Sequence, residues 1–176
     1  KMSNQFPKNC KIGDVRDIES LRQNITGNII VNLAAVHRDD IRDLSEYKKT
    51  NVDGAINISS VCSEKDINKI IFTSSVAVYG LNKNNPNEDH DKDPFNHYGK
   101  SKLEAEVVIK NWYESDSENK SITIVRPTVI FGERNRGNVY NLLRQIASRI
   151  FLMLGNGKNK KSMAYIENVA AFLEYC

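Results

Sequence analysis

Cysteine is scarce in this chain of 176 residues: Cys10, Cys62 and Cys176 are three in number and far apart. An odd, scattered set supports neither a disulfide framework nor a zinc site, so reduced thiols and no metal are expected. Long hydrophobic runs are absent as well. No stretch approaches the ~18 apolar residues that a membrane span requires, and the opening Lys1-Met-Ser-Asn-Gln5 carries no signal-peptide pattern. A soluble, cytoplasmic protein without a membrane partner is the expectation. Nor does one sign of charge dominate: 25 Lys and Arg stand against 22 Asp and Glu, a net +3. A nucleic-acid footprint concentrates basic residues in a stripe, whereas these are scattered among acidic ones, so no nucleic-acid partner is expected. The densest basic run, Lys158 to Lys161, reads as a solvated loop. Internal repeats and low-complexity segments are missing too.

What is present is an ordinary globular composition, 40% hydrophobic and 27% charged, in a chain long enough for one substantial core. Short apolar runs alternate with longer helical stretches. Asn28 to Ala35, Lys69 to Ser75 and Ser121 to Val125 read as strands. About Asp40 to Ser63, Pro94 to Ser115 and Val139 to Ile150 read as helices. Continuous apolar strands suggest a sheet covered on both faces. Strand–helix–strand alternation implies parallel pairing with right-handed crossovers, hence a doubly wound α/β sheet. The polar stretch Asn82 to Asp93, flanked or interrupted by Pro86 and Pro94, reads as a surface loop. Ligands in such sheets bind at the carboxyl ends of the strands, so this loop is expected to border the site.

Two candidate residues stand out near the start of the second long helix. Tyr98 and Lys102 are four apart, so both side chains leave one helix face. A tyrosine of pKa ~10 is a poor base at neutral pH, and an ammonium one turn away is expected to favour the phenolate. Such a phenolate can take a proton from a hydroxyl while a hydride leaves the same carbon to a nicotinamide. A serine hydroxyl opposite, from Thr73-Ser74-Ser75 at a strand end, can hold the oxygen. The Tyr-x-x-x-Lys pattern alone is weak, since Tyr79 and Lys83 match it as well; Tyr79 lies at a strand end before Gly80, where helical spacing does not apply.

Phe72-Thr-Ser-Ser-Val-Ala-Val-Tyr-Gly80 followed by Tyr98-Gly-Lys-Ser-Lys102 resembles the extended short-chain dehydrogenases of the NAD-dependent epimerase/dehydratase family. The similarity runs through nearly the whole chain. Gly13 to Asp17 resembles the segment that holds the adenine, which implies roles for Asp14 and Val15. Asn32-Leu33-Ala34-Ala35 resembles the strand end beneath the cofactor. Asn51-Val52-Asp53-Gly54 is similar to the family's Asn-Val-x-Gly helix segment. Arg126 to Gly132, with Pro127 and Val129, resembles the turn that caps the nicotinamide. Gly155-Asn156-Gly157 and Tyr165 to Val169 are similar to later elements of the family. The resemblance implies Tyr98 as general base, Lys102 as its partner and ribose anchor, Ser75 as the contact to the substrate oxygen, and Ser74 near the nicotinamide. It implies NAD as cofactor, with NADP possible, a nucleotide-sugar substrate and a homodimer. Val76 lies beside Ser75 on the substrate side, and Lys161 stands where the family usually has an arginine for the diphosphate; a lysine holds phosphate without forking it.

Departures from the family pattern shape the expectation. No Gly-x-x-Gly-x-x-Gly turn occurs, although the family receives the pyrophosphate there on a helix N-terminus. The chain is therefore expected to be a fragment, short of ~40–60 residues at its start and of most of the substrate domain. Residues 1–150 then form the Rossmann-like domain and 151–176 begin the substrate-binding region. Val76 and Ala77 replace the Asp-Glu pair that dehydratases carry, which disfavours dehydration; Val129 replaces an asparagine common in epimerases. An NAD(P)-dependent nucleotide-sugar epimerase or 4-keto-reductase is expected. The alternatives are an oxidoreductase for a non-nucleotide alcohol and a non-catalytic NAD-binding protein.

Overall fold

The computed structural model describes residues 7–38, 41–81, 85–153 and 155–176. Expectations resting on the opening residues, Asp40, Asn82 to Asn84 or Leu154 lie outside the described residues. The chain divides into two compact units, Lys1–Val125 and Arg126–Cys176.

The first unit is built on three parallel strands in the order β1 (Ile29–Asn32), β2 (Lys69–Thr73), β3 (Ser121–Val125). Register aligns Ile30 with Ile70 and Ile122, and Asn32 with Phe72 and Ile124. Because side chains alternate along a strand, these two layers face one side. There they meet α1 (Ile18–Asn24), α3 (Gly54–Glu64) and α4 (His97–Glu114), whose Leu21, Ala55, Ile58, Val61, Cys62, Ala105, Ile109 and Trp112 complete the core. The indole N–H of Trp112 donates to Ser63 Oγ at 2.9 Å and pins α4 to α3. Along β1 the opposite face is open: Ile29 is 50% and Val31 43% exposed. So the continuous apolar run there is explained by its inner residues, while its outer ones remain uncovered among the described residues.

Local chemistry sets the helix limits. Asp17 caps α1 by accepting from Glu19 N–H, and Asn96 caps α4 by accepting from Gly99 N–H at 2.8 Å. The cap moves the start of α4 from the expected Pro94 to His97. The stretch ending at Glu64 is not one regular helix. It opens with the short α2 (Ser45–Tyr47), passes through a π-helical turn over Lys48–Asp53 and continues as α3. A single π turn inside a helix is a device for re-aiming side chains, and here it turns Asn51 inward. Gly54 lets α3 approach Val15, whose Cγ2 would lie 2.9 Å from any Cβ at that position.

The second unit pairs β4 (Val129–Phe131) with β5 (Met163–Tyr165) in parallel, Phe131 against Tyr165 with ring centroids 5.7 Å apart. Between the strands lies α5 (Asn138–Ala147), and α6 (Ile166–Tyr175) follows. The apolar side of α5, including Leu142, Leu143 and Ile146, is exposed. Sequence reading had placed no strand at β4 or β5 and no helix at α1; three-residue strands carry too little periodicity to register.

Candidate active site

The carboxyl ends of β1, β2 and β3 are tied together before any side chain reaches outward. Thr73 Oγ1 donates to Asn32 O at 2.6 Å, and Ser74 N–H donates to Val125 O at 2.7 Å. Ser75 then caps a 3-10 turn over Val76–Tyr79, its hydroxyl accepting from Ala77 N–H at 3.1 Å. Two glycines press this turn against the start of α4. Gly80 has φ +79°, and a Cβ on it would lie 1.9 Å from Asp93 O. On Gly99 a Cβ would lie 2.7 Å from Ala77 O. The close fit brings Tyr98 to Ser75, as the sequence spacing alone could not guarantee.

Tyr98 and Lys102 occupy successive turns of α4. Lys102 is 1% exposed, with Nζ 4.3 Å from the centroid of the Phe72 ring. Burial pulls its ammonium down to about 8, opposed by the charge of Glu106. The Tyr98 phenol stands above its ordinary value because burial disfavours the phenolate, and its hydrogen bond with Ser75 acts in the opposite direction. The hydrogen bond with Ser75 is the lowering influence that the fold adds to the four-residue spacing of Tyr98 and Lys102.

The remaining expected site residues divide by surroundings. Ser74 is buried with a hydroxyl that finds no partner among the described residues. Leu33 is exposed beyond β1, followed by Ala34, whose N–H is taken by Asn32 Oδ1 at 3.1 Å, and by Ala35. Asn51 spends its amide inside the protein. Its Oδ1 accepts from Val36 N–H at 2.7 Å, and its Nδ2 donates to Val36 O at 3.0 Å and to Ser101 Oγ at 2.8 Å. Ser101 in turn donates to Tyr98 O at 2.9 Å. Asp14 is held by Arg16 through contacts of 2.7 to 3.1 Å, which keep its carboxyl below the usual range, and Val15 O accepts from Asn57. Val76 is partly exposed on the 3-10 turn. Pro127, Val129 and Lys161 belong to the second unit: Val129 opens β4, and Lys161 is exposed just before β5. Among the described residues, no group of His, Cys, Asp and Glu is placed to hold a metal ion.

Two buried side chains beside the site escaped the sequence reading, Ser101 and Glu106. Glu106 was reachable: extending the four-residue step from Tyr98 to Lys102 by one more step lands on it.

The sequence that builds this site matches a known family as a whole. The profile of the NAD dependent epimerase/dehydratase family matches residues 2–175. The chain belongs to this family. It is 54% identical, over 99% of its length and 53% of the relative's, to the N-acetyl-alpha-D-glucosaminyl-diphospho-ditrans,octacis-undecaprenol 4-epimerase of Escherichia coli O157:H7. It is 28% identical to the UDP-glucose 4-epimerase of Vibrio cholerae, over 94% of this chain and 53% of that one. The fold resembles the UDP-glucuronic acid 4-epimerase from Bacillus cereus, solved in complex with NAD. That likeness has a TM-score of 0.73 and 24% identity, and it covers 89% of this chain and 52% of the other. The chain spans about half the length of the curated relatives it matches. The fold of this family member is mixed α/β with parallel strands.

Proposed function

We propose that the protein is an NAD-dependent 4-epimerase of a sugar carried on a diphosphate, with Ser75, Tyr98 and Lys102 as its working side chains. The observation that carries this reading is the convergence of those three residues at the strand ends, in a chain 54% identical to an epimerase of a diphosphate-linked N-acetylhexosamine. When bound, NAD supplies a reversible hydride acceptor at the sugar carbon. The residues that fit it are Ser74, with its orphaned buried hydroxyl, the exposed strand end from Leu33 to Ala35, and Lys102; Asp14 and Val15 are the candidates for the adenine. Asn51, assigned to the cofactor from sequence, acts in this reading by fixing the loop after β1 to α4.

The chemistry of the chain's own residues follows from their protonation. Ser75 donates to the phenolic oxygen of Tyr98 and steadies the phenolate. Tyr98 takes the proton of the sugar hydroxyl and returns it after the carbon has inverted, so the cycle consumes no net proton. Lys102 lends positive charge behind Tyr98. Val76 and Ala77, with no acid or base to offer, fit a reaction that removes no water.

The carrier of the diphosphate is polyprenol in this reading, because the relative at 54% identity acts on an undecaprenol-linked sugar by its name. A nucleotide carrier is the second reading, favoured by the UDP-glucose 4-epimerase at 28% identity; Lys161 is the candidate diphosphate contact in both. The test is to incubate the intact protein and NAD with N-acetylglucosaminyl diphospho-polyprenol in detergent, and separately with the UDP-sugar, and to separate the epimers. Conversion of the lipid-linked sugar supports the first reading. Conversion of the UDP-sugar alone supports the second, and conversion of neither sinks both.

The assembly in this reading is a cytoplasmic homodimer, with α3 and α4 pairing with their symmetry mates. Ile56 and Val107, apolar and exposed on these helices, support that surface. Among the described residues, no helix is long and apolar enough to cross a membrane. Sedimentation of the intact protein as a monomer at micromolar concentration overturns the dimer. The proposed division of labour keeps residues 1–150 for the cofactor and begins the substrate region at 151.

A further inference from the structure

We infer that Glu106 is the buried counter-charge of Lys102 and, through it, a positioning residue for Tyr98. The inference rests on the reading of Tyr98 and Lys102 as the proton-handling pair.

Glu106 follows Lys102 by four residues in α4, so the two side chains share a helix face with Cβ atoms roughly 5–6 Å apart. Each is 1% exposed, and they are the only buried charged side chains among the described residues. Coincidence is a poor explanation of that pairing. A charge taken out of water is costly unless an opposite charge meets it, so each of these two groups makes the other tolerable. Burial acts on Lys102 to drive off its proton, and the charge of Glu106 is the influence that opposes it.

Among the described residues, no other element packed on α4 supplies such a buried charge. Tyr47 from α2, Cys62 from α3 and Tyr79 from the 3-10 turn are the buried titratable residues they contribute, none a carboxylate or an ammonium. The Cys62 thiol is pushed up to about 11 by burial and is uncharged at neutral pH. From the π-helical turn the inward residue is Asn51, while Lys48 and Lys49 are exposed and Asp53 faces Lys48. On β2 the group beneath Lys102 is the Phe72 ring. On α4 itself Tyr98 is uncharged at rest, its phenol raised by burial. Among the described residues Glu106 is the charge that favours the ammonium of Lys102, and only a cationic Lys102 can favour the Tyr98 phenolate.

The deciding measurement is the pH profile of kcat/KM for the intact, NAD-loaded protein and its Glu106→Gln variant, which keeps shape and removes charge. Loss of the carboxylate is expected to move the alkaline limb, where Lys102 loses its proton, to lower pH by about one unit. At pH 8 that lowers kcat about fivefold, approaching tenfold at higher pH, with KM nearly unchanged. A profile that superimposes on the parent's overturns the inference, even if the variant is less stable. Should Glu106→Gln fail to fold, Glu106→Asp carries the test. Its carboxylate is drawn back by one methylene, so a smaller shift in the same direction is expected, and an unmoved limb is contrary.

A second readout needs no turnover and so separates this inference from the proposed function. The 13Cε resonance of Lys102, assigned with Lys102→Arg, is expected to titrate at lower pH in Glu106→Gln than in the parent. An identical titration overturns the counter-charge role whatever the substrate proves to be.

Discussion

At the scale of single residues, the site is a matter of protonation inside a desolvated pocket. Tyr98→Phe removes one oxygen and leaves the ring to pack, so turnover is expected to fall by about 10³-fold while NAD affinity stays within twofold. Isothermal titration beside a steady-state assay checks both, and residual activity within tenfold of the parent places the base elsewhere. Lys102 makes a second prediction, about stability. Its ammonium is depressed from 10.5 to about 8, so between those values the unfolded chain binds a proton that the folded one does not. Stability contributed by this group therefore rises with pH across that window and is at its lowest below pH 8. A depression of this size corresponds to roughly 3 kcal/mol. Urea unfolding of the parent and of Lys102→Met at pH 8 and pH 10 is expected to show the difference moving toward the parent at the higher pH. Activity should move the opposite way, because the cation is the working form.

At the scale of elements, the position of Tyr98 depends on how the 3-10 turn meets α4. Gly80 holds a left-handed conformation that costs other residues ~1–3 kcal/mol, and its missing Cβ makes room for the Asp93 carbonyl. Gly80→Ala is thus expected to lower stability by about 3 kcal/mol and to reduce kcat more than it raises KM, as thermal melts and steady-state kinetics can establish. Asn96→Ala removes the cap of α4 and is expected to cost about 1 kcal/mol with a smaller loss of activity. Equal losses in the two variants would show that the turn contributes no more to the site than an ordinary helix end. These elements also mark what the sequence disclosed. Ser121 to Val125 was legible to the residue, since an uninterrupted β-branched run bounded by polar residues has one reading. The π-helical turn over Lys48–Asp53 was not, because its period differs from 3.6 only over a few residues and is set by the Asn51 bonds to Val36 and Ser101.

At the scale of the whole molecule, uncovered apolar surface governs behaviour in solution. Ile29 and Val31 on β1, Leu33 beyond it, and Leu142, Leu143 and Ile146 on α5 are all exposed, and contiguous apolar patches of this kind drive association. The 176-residue chain by itself is expected to elute with a light-scattering mass above 20.0 kDa and to bind an apolar dye. A monodisperse 20.0 kDa species at tens of micromolar that leaves the dye dark would count against it.

The order and kinds of residues carried the parallel α/β class and the three strands of the first unit, because periodicity and strand composition are local properties of a chain; the candidacy of Tyr98 and Lys102 rests on four-residue spacing, and that of Ser75 on the family resemblance. Tertiary structure decided the rest. It set which apolar positions are covered, and it bonded Asn51 to Val36 and Ser101, joining the loop after β1 to α4. It also brought Ser75 within hydrogen-bonding reach of Tyr98, and it buried Glu106 one turn from Lys102. Each of these depends on desolvation, and desolvation is a property of neighbours brought together by folding, which no spacing along the chain records.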